Sequence, residues 1–173
     1  MTLTAWLRIK SNYFVGGVAL KYRIACVGRI KEDYFTGMIE EYCRGIDGRD
    51  RLEICEVPDE RIPQKCGDKV NAMILQAEAV RLKNVIDPSS YVIALCIEGK
   101  KTSTKALKEQ ILKVAARECD MVTFVIGGSL GLAPDIVKLA DYRLSVSDMT
   151  FPHQLMRVAL AEQIMEVSIQ IHS

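Results

Sequence analysis

The sequence predicts one α/β domain with a parallel, doubly wound sheet, and three observations support this fold class. Short runs rich in aliphatic and β-branched residues alternate along the chain with longer segments whose apolar residues recur at helical spacing. This alternation of strands and helices favours parallel strands joined by right-handed crossovers. The length of 173 residues suits a single core, and a hydrophobic content of 49% is sufficient to fill it.

Five segments have the apolar pattern of β-strands. The first two are short and end at Gly28 and Pro58, residues that stop a strand. Residues 91–97 and 121–126 are apolar almost throughout, which indicates central strands buried on both faces. The predicted strands comprise residues 22–27, 52–57, 91–97, 121–126 and 142–145.

The segments that follow the strands are predicted to be helices. Apolar residues at helical spacing give the first helix a face suited to packing on a sheet, and they make the second helix amphipathic. Ser103 or Thr104 can cap the third helix, and Pro134 is placed as the first residue of the fourth. The predicted helices comprise residues 32–46, 69–83, 104–118, 134–140 and 153–169. The apolar positions of the second helix are Val70, Met73, Ile74, Ala77 and Val80.

Composition and charge exclude several function classes. A net charge of +1 argues against a protein that coats polyanions non-specifically, although a local patch can still recognise a folded RNA. The six cysteines are scattered without a C-x-x-C motif or a neighbouring histidine cluster, so we expect reduced thiols in a cytoplasm and no metal site. We expect no membrane span, since no stretch approaches the ~20 apolar residues required.

Three predicted strand ends carry the chemistry, at residues 95–99, 127–131 and 146–152. Ligands of open α/β sheets bind beyond the carboxyl ends of the strands. The glycines in the second of these segments let the backbone turn sharply and approach a ligand. Their G-G-x-x-G spacing differs from a dinucleotide fingerprint, and no Gly-Lys-Ser/Thr follows to form a P-loop. Taken alone, such a strand end is equally consistent with a tight turn of purely structural role.

The loop that precedes the last helix strengthens the case for a site. It places two apolar residues, Met149 and Phe151, beside a potential base, His153, and a cation, Arg157. His153 and Arg157 are four residues apart and therefore share one helical face. The alternatives are a histidine that only caps the helix or faces water, and an arginine in a surface salt bridge.

The combined motifs resemble the RlmH family of SPOUT-class methyltransferases, which methylate N3 of a pseudouridine in large-subunit (23S) rRNA. The motifs are KYRIACVG at 21–28, ICEVPDE at 54–60, FVIGGSLGL at 124–132 and MTFPHQLMRV at 149–158. The resemblance runs from about Lys21 to Ile164. It implies a parallel-sheet SPOUT fold with a C-terminal trefoil knot, and a homodimer formed through the knotted region. It also implies S-adenosylmethionine as the methyl donor and the assembled ribosome as the partner.

The resemblance assigns site residues by position. The family's cofactor contacts fall on Leu95, Gly127, Val146, Ser147, Asp148, Met149, Thr150 and Phe151. His153 is the candidate for orienting the target base or relaying its proton. Arg157 is the candidate for binding an RNA phosphate or stabilising the charge that develops on the base.

Two segments depart from the family. Residues 1–20 have no counterpart, and we expect a poorly ordered extension ahead of a single domain at 21–173. From Met165 the chain leaves the family pattern and lacks its Gly-Glu-x-Tyr-His-Lys ending, whose Tyr and His contribute to the chemistry in relatives. Two alternatives therefore stay open. One is a SPOUT methyltransferase that acts on another RNA, such as tRNA, and the other is a cofactor-binding dimer with impaired catalysis.

Overall fold

The computed structural model describes residues 19–65 and 67–173, and each predicted strand and helix is present there. The strands are β1 Lys21–Val27, β2 Arg51–Val57, β3 Tyr91–Lys101, β4 Met121–Ile126 and β5 Tyr142–Ser145. The helices are α1 Asp33–Gly45, α2 Asp68–Val85, α3 Thr104–Ala115, α4 Pro134–Leu139 and α5 His153–His172.

The strands form a sheet in the order β2-β1-β4-β3-β5, and every neighbouring pair is parallel. Alternate residues of β1 face different cores: Ile24 packs with α1, α3 and α5 on one face of the sheet, whereas Ala25 packs with α2 and α4 on the other. Every residue of β4 is buried, as its continuous apolar run predicted. The predicted parallel, doubly wound α/β sheet is confirmed.

Helix α2 presents a different face to the sheet from the one its apolar positions suggested. Val70, Met73 and Val80 are exposed to 38%, 66% and 51%, so most of the predicted apolar stripe does not reach the core. The buried residues of α2 are Ile74, Glu78, Ala79 and Leu82. The rotation brings the Glu78 carboxylate to the loop after β2, where one oxygen accepts a hydrogen bond from the Glu60 N–H at 3.1 Å.

Strand β3 extends to Lys101 instead of ending at residue 97, because it contains a bulge. Its pairing with β5 jumps from Leu95 to Lys100, and both residues face Leu144. Gly99 makes this possible, since a Cβ there would lie 2.5 Å from the backbone carbon of Leu144. Residues 96–99 are therefore displaced from the ladder as a bulge beside β5.

Both ends of the predicted domain pack against its core, as far as the structure describes them. Residues 1–18, and with them nearly all of the predicted N-terminal extension, lie outside the described residues. Leu20 is fully buried. After Met165 the chain continues α5 to His172, and both Val167 and Ser168 are fully buried. Within the described ranges, no helix is both long and apolar enough to cross a membrane.

Candidate active site

The three predicted strand ends converge on one cleft of about 760 Å³. It opens at the carboxyl ends of β3, β4 and β5, as expected for an open parallel sheet. Its walls are the β3 bulge, the glycine loop that follows β4, and the segment that joins β5 to α5. The lining residues are Leu95, Cys96, Ile97, Glu98, Ile126, Gly127, Gly128, Ser129, Leu130, Gly131, Leu132, Val137, Leu144, Ser145, Val146, Ser147, Met149, Thr150, Phe151, Pro152, His153 and Met156.

The glycine loop, residues 127–131, folds back on itself because its glycines have no side chains where the two sides of the loop meet. Gly128 and Gly131 form an antiparallel bridge, and Gly131 has a φ of +81° that disfavours other residues. A Cβ on Gly127 would lie 2.2 Å from the Gly131 carbonyl oxygen. The loop can therefore hold this shape only with glycine at 127, which leaves backbone groups at the floor of the cleft.

The segment from Val146 to Phe151 lines the cleft, with one exception. Val146, Ser147, Met149, Thr150 and Phe151 all contribute to the wall. Local hydrogen bonds shape the turn, because the Ser147 hydroxyl oxygen accepts from the Met149 N–H at 3.0 Å.

Asp148 is the exception, since it does not line the cleft. Its carboxylate is exposed and forms an ion pair with Lys101, which lies just beyond the β3 bulge. This pair joins two walls of the cleft on their outer side.

His153 is the first residue of α5 and lines the cleft on the side nearest β1. Its Nε2 lies 3.6 Å from the position that a Cβ would occupy on Gly28, the residue that follows β1 and has a φ of +84°. Burial and the nearby Arg157 guanidinium lower the pKa of His153. The imidazole is therefore neutral at neutral pH, with one ring nitrogen free to accept a proton.

Arg157 does not line the cleft, because its side chain is completely buried. Its guanidinium donates to the Glu56 carboxylate at 2.9 Å and to the Val27 carbonyl oxygen at 2.5 Å. These bonds fasten α5 to the ends of β1 and β2. Buried in this way, the guanidinium supports the strand ends beside His153 and does not face solvent.

Two features of the site were not predicted from the sequence. Cys96, Ile97 and Glu98 lie within the predicted strand end at 95–99, but the bulge in β3 that brings them to the cleft was not foreseen. Glu78 is buried behind the glycine loop, with its Oε2 3.3 Å from the position of a Cβ on Gly128. Burial is the main cause that raises the pKa of Glu78. No group of three potential metal ligands occurs in the described part of the chain.

Comparison with known proteins places this geometry in a family. The family model described as "Predicted SPOUT methyltransferase" matches residues 20–170. A protein of Methanococcus maripaludis (strain C5), named "Putative ribosomal RNA large subunit methyltransferase H", is 43% identical over 141 residues, which cover 82% of this chain and 89% of the relative.

Two solved structures also match this chain. One is described as a probable methylase family protein from Haemophilus influenzae Rd KW20; the match has a TM-score of 0.50 at 15% identity, and covers 86% of this chain and 66% of the solved one. The other, from Neisseria gonorrhoeae, matches with a TM-score of 0.48 at 16% identity over 88% of this chain and 83% of the solved one.

Proposed function

The chain belongs to the SPOUT methyltransferase family, and on that premise we propose that it methylates N3 of a pseudouridine in large-subunit (23S) rRNA, with S-adenosylmethionine as the methyl donor. The observation that carries the proposal is that the glycine loop and the segment before α5, both of which bear the family motifs, line one and the same cleft. We further propose that the substrate is the assembled ribosome in the cytoplasm, and that the fold includes a trefoil knot.

The residues of the cleft fit the proposed cofactor. A volume of about 760 Å³ falls in the range of small-molecule sites, which are mostly apolar with a few placed polar groups. Leu95, Val146, Met149 and Phe151 supply apolar wall, and Gly127 leaves backbone exposed at the floor. When bound, S-adenosylmethionine supplies the methyl group from a positively charged sulfonium. Ser147 and Thr150 complete the proposed contact set, and Asp148 acts from outside by holding the wall through Lys101.

His153 is the proposed group that handles the proton of the acceptor. An imide nitrogen such as N3 of pseudouridine must lose its proton before or during methylation. A neutral imidazole at the wall of the cleft can accept that proton or orient the base. Arg157 then acts as a positioning residue, because its bonds to Glu56 and Val27 hold the start of α5 against the sheet. Its burial supports this role more strongly than direct contact with an RNA phosphate.

A homodimer is part of the proposal. Large apolar side chains that line the cleft are also exposed to solvent: Met149 to 68%, Val146 to 47% and Phe151 to 37%. Exposed apolar surface is typical of protein–protein contacts. A second copy that covers this surface would also exclude water from the cleft.

The path of the C-terminal segment favours a second candidate function, a cofactor-binding protein with impaired turnover. The His172 side chain lies against Asp50, which immediately precedes β2. That position is at the amino edge of the sheet, whereas the cleft is at the carboxyl edge. The C-terminal histidine of this chain therefore does not reach the cleft of its own molecule.

Transfer of labelled methyl groups distinguishes these functions. The protein is incubated with methyl-labelled S-adenosylmethionine and either ribosomes that lack the modification or bulk tRNA, and the nucleosides are then identified by mass spectrometry. Label in N3-methylpseudouridine of ribosomes supports the first proposal, and label in tRNA replaces it with a methyltransferase of another RNA. Cofactor binding without label in either RNA supports the impaired protein. Absence of cofactor binding refutes the assignment of the cleft.

A further inference from the structure

The β3 bulge brings one carboxylate to the cleft. Residues 96–98 all line the wall, and Glu98 is exposed. The bulge is fixed from behind by Gly99, which packs against the backbone of Leu144, and by the Lys101–Asp148 ion pair. Nothing in the described part of the chain forms an ion pair or hydrogen bond with the Glu98 carboxylate. The β3 backbone therefore holds the Glu98 carboxylate at the cleft, where it has no partner among the described residues.

No other group of the lining balances this charge. Among the described residues that line the cleft, Glu98 alone carries a formal charge at neutral pH. His153 is neutral there, because burial and Arg157 lower its pKa. The Cys96 thiol stays protonated, since burial and the Glu98 charge raise its pKa. Outside the lining, Lys101 is paired with Asp148, and the Arg143 guanidinium acts on the Cys96 thiol, whose pKa it partly lowers.

We infer that Glu98 determines cofactor specificity by favouring the methyl donor, which has a net positive charge, over the product of the reaction, which has no net charge. The inference rests on the proposed function, because it takes the cleft as the S-adenosylmethionine site. Donor and product share almost all their atoms. They differ by one unit of formal charge, since the sulfonium of the donor becomes a thioether in S-adenosylhomocysteine. A cleft whose described lining residues carry a negative formal charge and no positive one attracts the donor, and it loses that attraction once the methyl group has left.

The expected effect is modest, because Glu98 is exposed to solvent. Interactions between exposed charges are reduced by water and by salt. We expect Glu98 to improve the affinity for S-adenosylmethionine, relative to S-adenosylhomocysteine, by about three- to tenfold at low salt. The same carboxylate would shorten the residence of the product, which competes for the cleft.

Isothermal titration calorimetry of the whole chain tests the inference through binding alone. Both ligands are titrated into the wild type, Glu98→Gln, Glu98→Lys and a matched control, Glu109→Gln. Glu109 is an exposed carboxylate on α3 that does not line the cleft, so its neutralisation changes net charge equally. We expect Glu98→Gln to weaken donor binding about three- to tenfold and Glu98→Lys to weaken it further. Product binding should stay within about twofold of the wild type in every variant.

The outcomes separate the two proposals. Wild-type protein that binds neither ligand refutes the proposed function. Wild-type protein that binds both ligands, with a donor-to-product affinity ratio that Glu98→Gln leaves unchanged, overturns the role of Glu98 alone. Thermal unfolding of each variant checks that it folds. If a Glu98 variant does not fold, the salt dependence of the wild type tests the inference instead. The ratio of donor affinity to product affinity should fall as salt is raised, and a ratio that does not depend on salt overturns the inference.

Discussion

Asp50 is the residue through which the C-terminal segment is attached to the domain. One carboxylate oxygen accepts a hydrogen bond from the Leu20 N–H at 2.8 Å and lies 3.0 Å from Nε2 of His172. The other accepts from the Ser168 hydroxyl at 2.7 Å. Asp50 is only 5% exposed. Replacing it with alanine leaves these groups buried without an acceptor, so we expect a large loss of stability.

The magnitude follows from the number of groups left unpaired. Each buried polar group that loses its partner costs about 1–3 kcal/mol, and partial relaxation reduces the sum. We expect Asp50→Ala to lower the free energy of unfolding by about 3–5 kcal/mol, out of a total of roughly 5–15 kcal/mol for a domain. Ser168→Ala leaves one buried oxygen of the Asp50 carboxylate unpaired and should cost about 1–3 kcal/mol. Because both changes break the same bond, the double variant should cost less than the sum by on the order of 1 kcal/mol.

Urea unfolding followed by far-UV circular dichroism measures these values. Asp120→Ala is the matched control, since Asp120 pairs with Lys21 on the surface and its side chain is 57% exposed. We expect that control to stay within about 1 kcal/mol of the wild type. If Asp50→Ala proves as stable as Asp120→Ala, or if the double variant is strictly additive, the C-terminal segment is not packed on the domain as described.

Three further predictions concern the cleft and its support. Arg157→Ala should lower the free energy of unfolding by about 2–4 kcal/mol, because it leaves the buried Val27 carbonyl and the partly exposed Glu56 carboxylate without their cation. Unchanged stability with weakened RNA binding would instead indicate that Arg157 contacts RNA directly. Gly127→Ala should weaken S-adenosylmethionine binding by at least about tenfold in calorimetry, because its Cβ would meet the Gly131 carbonyl, whereas Gly37→Ala, with open space around the Cβ, should leave affinity unchanged. Methyl transfer should decline as pH falls below the ordinary imidazole value of 6.5, since the lowered pKa of His153 keeps the ring neutral above it. Between the lowered pKa and 6.5, the unfolded chain binds more protons at His153 than the folded chain, so stability rises with pH. His153→Gln should remove both this pH dependence of stability and the pH dependence of methyl transfer. Turnover that is unaffected by His153→Gln would exclude His153 from the mechanism.

Secondary structure and sheet type were predictable because they follow from periodicity along the chain. The uninterrupted apolar run of β4 identified a strand buried on both faces, and the structure buries all of it. The face of α2 was not predictable in the same way. Besides the predicted stripe, α2 carries further apolar residues on other sides, among them Leu75, Ala79 and Leu82, so the choice among faces depends on what small residues such as Ala79 allow against β1 and β2. That information lies in the partner elements and not in the helix.

The cleft was predictable in outline because the carboxyl ends of parallel strands meet at one edge of a sheet. Orientation of individual side chains within it was not. Asp148 and Met149 are neighbours in sequence, yet one faces outward to Lys101 while the other lines the wall. Glu98 enters the cleft through a change of register in β3, which depends on how β5 pairs with it. A pattern of residue types in one segment cannot specify either outcome.

Helix α5 connects the two parts of the molecule on which the proposed activity depends. Its first residue, His153, lines the cleft, and its last turn places His172 against Asp50, so its 20 residues span about 30 Å between the two edges of the sheet. Arg157 attaches the cleft end to β1 and β2, and Asp50 attaches the other end to the same strands' starts. The altered C-terminal sequence therefore affects the site through the stability of this helix. Its contribution to chemistry is a separate question, because loss of stability weakens cofactor binding and turnover together, whereas a missing catalytic group lowers turnover alone.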